Sequence, residues 1–254
     1  MTRKLISCGL IALALSLPGQ SGAAEIRVAT ASNFRNAMSE LVRVHERETG
    51  QRVVAVYGST GKHYAQIING APFDAFFAAD ARRPEQLEKD GFALTGSRFT
   101  YATGILVLWS PQPGYVDGQG HVLKQAGFRH LAMANPRLAP YGTAAREVLE
   151  SLGLWLDLGP KLVTGENIGQ AFLFVQSGNA ELGFVAWSQL VSDSPTVRGS
   201  FWRVPVNLYR PIEQQAVLLS DSEASRAFMS FIRGAEAARI IQAHGYATST
   251  GELP

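Results

Sequence analysis

The sequence predicts an α/β protein with two sets of strands. From Glu25 onward, short apolar and β-branched runs alternate with segments of helical spacing. A second set of strands opens at Ile105 to Trp109, after a polar interval. The composition fits this class: 46% of the 254 residues are hydrophobic and 17% are charged, enough for one large domain or two smaller ones.

The first set begins with Ile26 to Thr30, a short buried strand. Asn33 to Glu48 then carries Phe34, Ala37, Met38, Leu41, Val42 and His45 at helical spacing and ends at Gly50. Arg52 to Tyr57 is strand-like, Thr60 to Asn69 helical, Phe73 to Ala78 a strand and Pro84 to Lys89 a short helix. Such βαβ alternation calls for parallel strands. In the second set, Leu131 to Ala134 and Leu182 to Ala186 read as strands, and Thr143 to Leu152 and Gly169 to Ser177 as helices. Gln214 to Leu219 is a late strand, followed by helices at Ser222 to Arg233 and Ala235 to His244.

The N-terminus follows a different pattern. Arg3 and Lys4 precede an apolar run of 13 residues, Leu5 to Leu17, which Pro18 and Gly19 break before Ser21, Gly22, Ala23 and Ala24. That is the order of a cleaved secretory signal, too short to span a bilayer, so residues 1–24 are expected to be a leader and the protein periplasmic. Cys8 lies within it, so no disulfide or thiolate metal site is expected in the mature chain. Loss of Arg3 and Lys4 takes the formal charge from +2 to 0. A neutral chain without a basic stripe is a poor partner for nucleic acid or an anionic membrane.

Small polar residues and glycine fall where strands give way to helices. Ser32 and Asn33 follow the first strand, and Gly58, Ser59, Thr60 and Gly61 the second. Tyr141, Gly142 and Thr143 follow Pro140, and Asn167 and Ile168 open a further helix. The first turn of a helix has N–H groups without partners and the positive end of the dipole. Several such ends aimed at one point would bind an anion without lysine or arginine. A site that only donates suits a fully ionised dianion, because a protonated oxyanion needs an acceptor for its own proton. Singly, each is an ordinary N-cap worth about 1 kcal/mol.

Catalytic patterns are weak. Gly58 to Lys62 lacks the P-loop spacing, since Val56 stands where glycine is needed and His63 where serine or threonine is needed. The five histidines show no metal spacing. Asp74 and Asp80, six residues apart around a strand, offer either a carboxylate pair for a secreted hydrolase or two residues that end a strand and cap the next helix.

Several motifs carry a resemblance. The segments VATASNFRNAM from Val28 to Met38, YGSTGKHYAQI from Tyr57 to Ile67, and NGAPFD from Asn69 to Asp74 followed by Ala78 to Asp80 resemble successive motifs of the periplasmic molybdate-binding proteins of ABC transporters. NPRLAPYG from Asn135 to Gly142 and LGFV from Leu182 to Val185 are similar to later ones, in the same order and over nearly the whole mature chain.

The resemblance implies a type II periplasmic binding protein, with two α/β lobes joined by two crossover strands and the ligand cleft between them. Lobe one would comprise 25–104 plus 210–254, and lobe two 105–209. It implies no enzyme activity and no cofactor, only a small oxyanion, molybdate or tungstate, captured by a monomer and handed to a membrane permease. Ser32 or Asn33 fills the first ligand position, since this loop is one residue longer than in some members and leaves both residues open for it. Ser59 and Thr60 occupy the second position, Tyr141 the third, and Ile168 the fourth through its backbone N–H. Some members place a tyrosine ligand where Ala186 stands, with Trp187 next, and Tyr141 takes over that role here. Binding of sulfate, thiosulfate or an organic anion is the related alternative, and a signalling module that reports its ligand to a membrane receptor is another.

Overall fold

A computed structural model describes residues 25–191 and 197–247. The expected leader and Cys8 lie outside the described residues. The strands are β1 (Ile26–Ala31), β2 (Val53–Gly58), β3 (Ala75–Ala78), β4 (Phe99–Gly104), β5 (Leu106–Ser110), β6 (Leu131–Ala134), β7 (Leu162–Gly165), β8 (Leu182–Ala186), β9 (Ser200–Arg203) and β10 (Ile212–Leu218). The helices are α1 (Arg35–Thr49), α2 (Thr60–Ile68), α3 (Arg82–Lys89), α4 (Val122–Gln125), α5 (Pro140–Ser151), α6 (Trp155–Leu158), α7 (Ile168–Gln176), α8 (Trp187–Val191), α9 (Glu223–Ile232) and α10 (Ala235–Ala243).

The strands form two sheets with one plan. The first has the order β2-β1-β3-β10-β4 and the second β7-β6-β8-β5-β9. In each, three parallel strands lie side by side, and a strand arriving from the other sheet runs antiparallel in fourth place. The chain therefore crosses twice, at Ile105 between β4 and β5, and between β9 and β10. Each sheet carries helices, giving the two-lobed α/β architecture.

Burial explains the elements. β1 is an interior strand, buried at every position but Arg27, because helices cover both its faces. Val28 joins the core under α1, α9 and α10, and Ala29 the core under α2 and α3. α1 turns Ala37, Met38, Leu41, Val44 and His45 inward, each large apolar side chain contributing about 1.5–3 kcal/mol. A capping box of Ser222 and Ser225 starts α9.

Three strands, β4, β7 and β9, were not anticipated from the sequence. All three are edge strands and partly exposed, so little of the apolar signal of a buried strand marks them. α5 starts at Pro140 rather than Thr143, because proline's fixed φ suits the first helical position. Tyr141 and Gly142 thus sit inside its first turn. The segment expected to be helical from Asn33 opens with a single 3₁₀ turn, Ser32–Phe34.

Two histidines are buried in the first lobe. His45 packs edge-on against Phe228, with ring centroids 5.1 Å apart, and its Nε2 has no hydrogen-bond partner among the described residues. His63 lies under β2 with Nε2 3.2 Å from the Thr30 carbonyl. Burial pushes both imidazoles below their ordinary value of 6.5, against the pull of Glu48 and Glu46 on His45 and of the Gln66 and Thr30 hydrogen bonds on His63. The unfolded chain therefore takes up protons first as pH falls, and stability present above 6.5 is lost below it. The urea midpoint is expected to fall between pH 7.5 and pH 5, and to fall less in His45→Leu. Equal slopes in parent and variant would show that His45 does not contribute.

Candidate functional site

The parallel strands of each sheet end together. Ala31 of β1 is in register with Gly58 of β2, and Ala134 of β6 with Gly165 of β7. The chain turns into helices just beyond these ends, and the carboxyl edge of parallel strands is where α/β sheets place their ligands. Here the two edges face each other across a small cavity.

Five chain segments line it. Ala31, Ser32 and Asn33 follow β1; Gly58, Ser59 and Thr60 join β2 to α2; Ala79 follows β3. From the second sheet come Ala139, Pro140 and Tyr141 at the start of α5, and Asn167 and Ile168 at the start of α7. Ser32, Asn33, Ser59, Thr60, Tyr141 and Ile168 thus border one space, although they are up to 136 positions apart. None of the lining residues is an acid, lysine, arginine or histidine. Gly142 permits the close seating of α5, since a Cβ there would stand 2.3 Å from the Ala134 carbonyl oxygen.

The hydrogen bonds around the cavity have a consistent direction. In α2 the Gly61 N–H goes to the Leu138 carbonyl at 2.8 Å, Lys62 N–H to Ser59 Oγ at 3.3 Å and His63 N–H to the Ser59 carbonyl at 3.1 Å. In α7 the Gly169 N–H goes to Ser32 Oγ at 3.2 Å, Gln170 N–H to Asn167 Oδ1 at 3.1 Å and Ala171 N–H to the Asn167 carbonyl at 3.2 Å. Each helix keeps the N–H of its first residue, Thr60 and Ile168, without a protein acceptor among the described residues. The hydroxyls follow the same rule. Thr60 Oγ1 accepts from Ala79 N–H at 3.0 Å, Ser32 Oγ from Gly169 and Ser59 Oγ from Lys62. A hydroxyl that has accepted on one side retains its proton to donate on another.

Tyr141 is 1% exposed, and burial pushes its phenol well above the usual tyrosine range, with the neighbouring phenols of Tyr246, Tyr209 and Tyr101 acting the same way. It is a neutral donor at any physiological pH. Asn33 differs from the hydroxyls, because its carboxamide N–H groups go to Gln214 Oε1 at 2.8 Å and Tyr246 Oη at 3.0 Å. Its remaining donor for the cavity is a main-chain N–H in the first turn of its 3₁₀ segment, while its Oδ1 can only accept.

Contacts between the sheets close the cavity. Besides Gly61–Leu138 and Gly169–Ser32, Arg83 donates to the Arg137 carbonyl at 3.2 Å, and Lys62 pairs with Glu166 at 3.3 Å. The Lys62 ammonium is thus held by a carboxylate beside the cavity and does not line it.

Other sequence candidates fall elsewhere. Asp74 and Asp80 stand at opposite ends of β3 and do not form a carboxylate pair. Asp74 accepts from Arg27 N–H and Ser220 Oγ, and Asp80 pairs with Arg83. Ala186 ends β8, where its N–H donates to Gln189. Among the described residues there is no cluster of three His, Cys, Asp or Glu side chains able to hold a metal ion. Sequence reasoning missed Ala79 as a lining residue and Gln214 behind the site. Gln214 lies between Glu213 and Gln215 in IEQQAVL, so no sequence signal set it apart, and its burial shows only in the fold.

The model for a family described as bacterial extracellular solute-binding protein matches residues 26–247. Molybdate-binding protein ModA of Azotobacter vinelandii is 50% identical over 244 residues, covering 95% of this chain and 94% of the relative. Molybdate-binding protein ModA of Rhodobacter capsulatus is 44% identical over 241 residues, covering 94% and 93%. The solved structure of the Azotobacter vinelandii periplasmic molybdate-binding protein is similar with a TM-score of 0.85 at 46% identity, over 88% of this chain and 99% of that one. With its two-sheet architecture and a match that spans both sheets, the chain belongs to the family of bacterial extracellular solute-binding proteins.

Proposed function

We propose that the protein captures molybdate, and tungstate nearly as well, in the cavity between its two sheets, and delivers the ion from the periplasm to the membrane permease of an ABC transporter. The observation that carries this reading is the uniform direction of the hydrogen bonds. Around one small, uncharged cavity, three hydroxyls already accept from main-chain N–H groups, and the first N–H groups of two helices are left over. Such a wall carries no charge and is made mostly of donors. It suits a compact dianion, and the helix dipoles of α2, α5 and α7 add to its positive potential. The relatives' names point to molybdate among such ions.

In this reading Ser32, Ser59, Thr60 and Tyr141 donate through hydroxyls, and Asn33, Thr60 and Ile168 through main-chain N–H groups. The ion is the cargo, held through its oxygens, and no cofactor takes part. The lobes are 25–104 with 210–254, and 105–209, as the double crossing suggests. Opening would break the Gly61–Leu138, Ser32–Gly169 and Lys62–Glu166 contacts, and an ion touching both lobes favours the closed state by its differential affinity. Hydrogen phosphate is disfavoured at neutral pH because its proton must find an acceptor in a wall made mostly of donors. Sulfate is a dianion of the same shape and is distinguished by size.

The test is calorimetric titration of the ion-free protein with molybdate, tungstate, sulfate and phosphate. One-to-one binding of the first two with none of phosphate is expected, and no heat from any ion would remove the reading. Tyr141→Phe is expected to weaken molybdate binding by about 1–3 kcal/mol, roughly 5- to 150-fold. Thr60→Ala and Ser32→Ala should weaken it with little change in thermal midpoint, and parent-like affinity in both would place the site elsewhere. Glu166→Gln removes a pair that is half-exposed, so its effect should stay within about 1 kcal/mol. A larger loss there than in Thr60→Ala would mean that charge, not neutral donors, holds the ion.

A further inference from the structure

We infer that Gln214, which does not line the cavity, is a positioning residue that fixes Tyr141 as a proton donor to the ion, through a chain of hydrogen bonds whose direction is set at a backbone carbonyl. The inference rests on the oxyanion reading of the site. Gln214 is fully buried on β10, the strand that enters the first sheet after the second crossing.

The direction follows link by link. The Asn33 carbonyl oxygen can only accept, so Tyr246 Oη, 2.7 Å away, gives it its single proton. Tyr246 Oη must then accept from the Asn33 side chain at 3.0 Å, which makes that atom the carboxamide nitrogen. The same nitrogen lies 2.8 Å from the Gln214 carboxamide and can only donate, so the Gln214 atom facing it is Oε1. Gln214 Nε2 is therefore turned to Tyr141 Oη, 3.4 Å away. At that length the bond is weak, and its effect is on direction. Tyr141 receives a proton from behind, and its own is free for the cavity.

Tyr101 Oη lies 3.1 Å from both the Ala78 carbonyl and Gln214 Oε1 and gives its single proton to one of them, so the order rests on the Asn33 and Tyr246 links. Gly104 at the first crossing leaves the room for the Gln214–Tyr141 contact, since a Cβ there would stand 2.2 Å from Tyr141 Oη and 2.7 Å from Gln214 Nε2. The contact also joins the two sheets, so the phenol is aligned when they are closed.

The test measures molybdate dissociation constants for the parent, Gln214→Met, Tyr141→Phe and the double variant, with thermal midpoints taken alongside. Gln214→Met is expected to weaken binding by about tenfold in the parent and by less than about twofold in Tyr141→Phe. Equal losses in both backgrounds would assign Gln214 a structural part only and overturn the inference. Gln214→Glu gives a second reading that survives if the methionine variant fails to fold. Burial favours the protonated acid, which donates to Tyr141 as the amide does, whereas the carboxylate would draw the phenol proton away and repel the ion. The groups facing residue 214 are the phenols of Tyr101 and Tyr141 and, through Asn33, that of Tyr246, with Asp80 beyond Tyr101. The parent keeps all of them and serves as the reference. Binding by Gln214→Glu should be at least about tenfold weaker at pH 8 and recover toward pH 6 relative to the parent. A profile parallel to the parent's would contradict the inference. A parent that binds none of the ions would overturn the reading of the site itself, whereas a binding parent with equal losses overturns only the part assigned to Gln214.

Discussion

A hydroxyl that accepts a hydrogen bond from a fixed main-chain N–H cannot point its own proton that way and keeps it to donate elsewhere. The site depends on that constraint. Ser32, Ser59 and Thr60 are each tied in this way, to Gly169, Lys62 and Ala79. None of the three needs to reorganise to meet an anion. The site is made positive by partial charges alone, which spares the protein a buried lysine or arginine whose desolvation would be costly without a partner. The nearby cations are held elsewhere: Lys62 by Glu166 and Arg83 by Asp80.

The fold supplies the geometry. Parallel strands bring several chain ends to one edge of a sheet, and two sheets of the same plan, crossed twice by the chain, turn two such edges toward each other. Neither sheet completes the site. Ser32 and Thr60 come with the first, Tyr141 and Ile168 with the second. In the proposed reading closure and ligand contact are one event, and Ser32 takes part in both, because the group that accepts from Gly169 in the other sheet is the group left to donate to an ion.

Much of this was legible in the sequence, and the unread parts have physical causes. The buried strands β1, β6 and β8 were found from their apolar runs, and the edge strands β4, β7 and β9 were not, since an edge exposes residues that blur that pattern. Helix starts were recognisable as places for donors, yet periodicity says nothing about convergence, and only the resemblance singled out six residues. Ser32 and Asn33 were equivalent as letters. Their difference comes from long-range partners: Gly169 leaves the Ser32 proton free, whereas Gln214 and Tyr246 take both protons of the Asn33 carboxamide. Asp74 and Asp80 were plausible as a pair only until β3 was seen to separate them.

The central claim is that neutral donors alone hold the ion, and the most direct measurement is a high-resolution crystal structure of the closed protein with molybdate. The account predicts the ion in the cavity between the sheets, its oxygens about 2.7–3.1 Å from hydroxyls of Ser32, Thr60 and Tyr141 and from the N–H groups of Thr60 and Ile168, with no ammonium or guanidinium within about 4 Å. An ion held by Lys62 or Arg83, or seated outside this cavity, would contradict it.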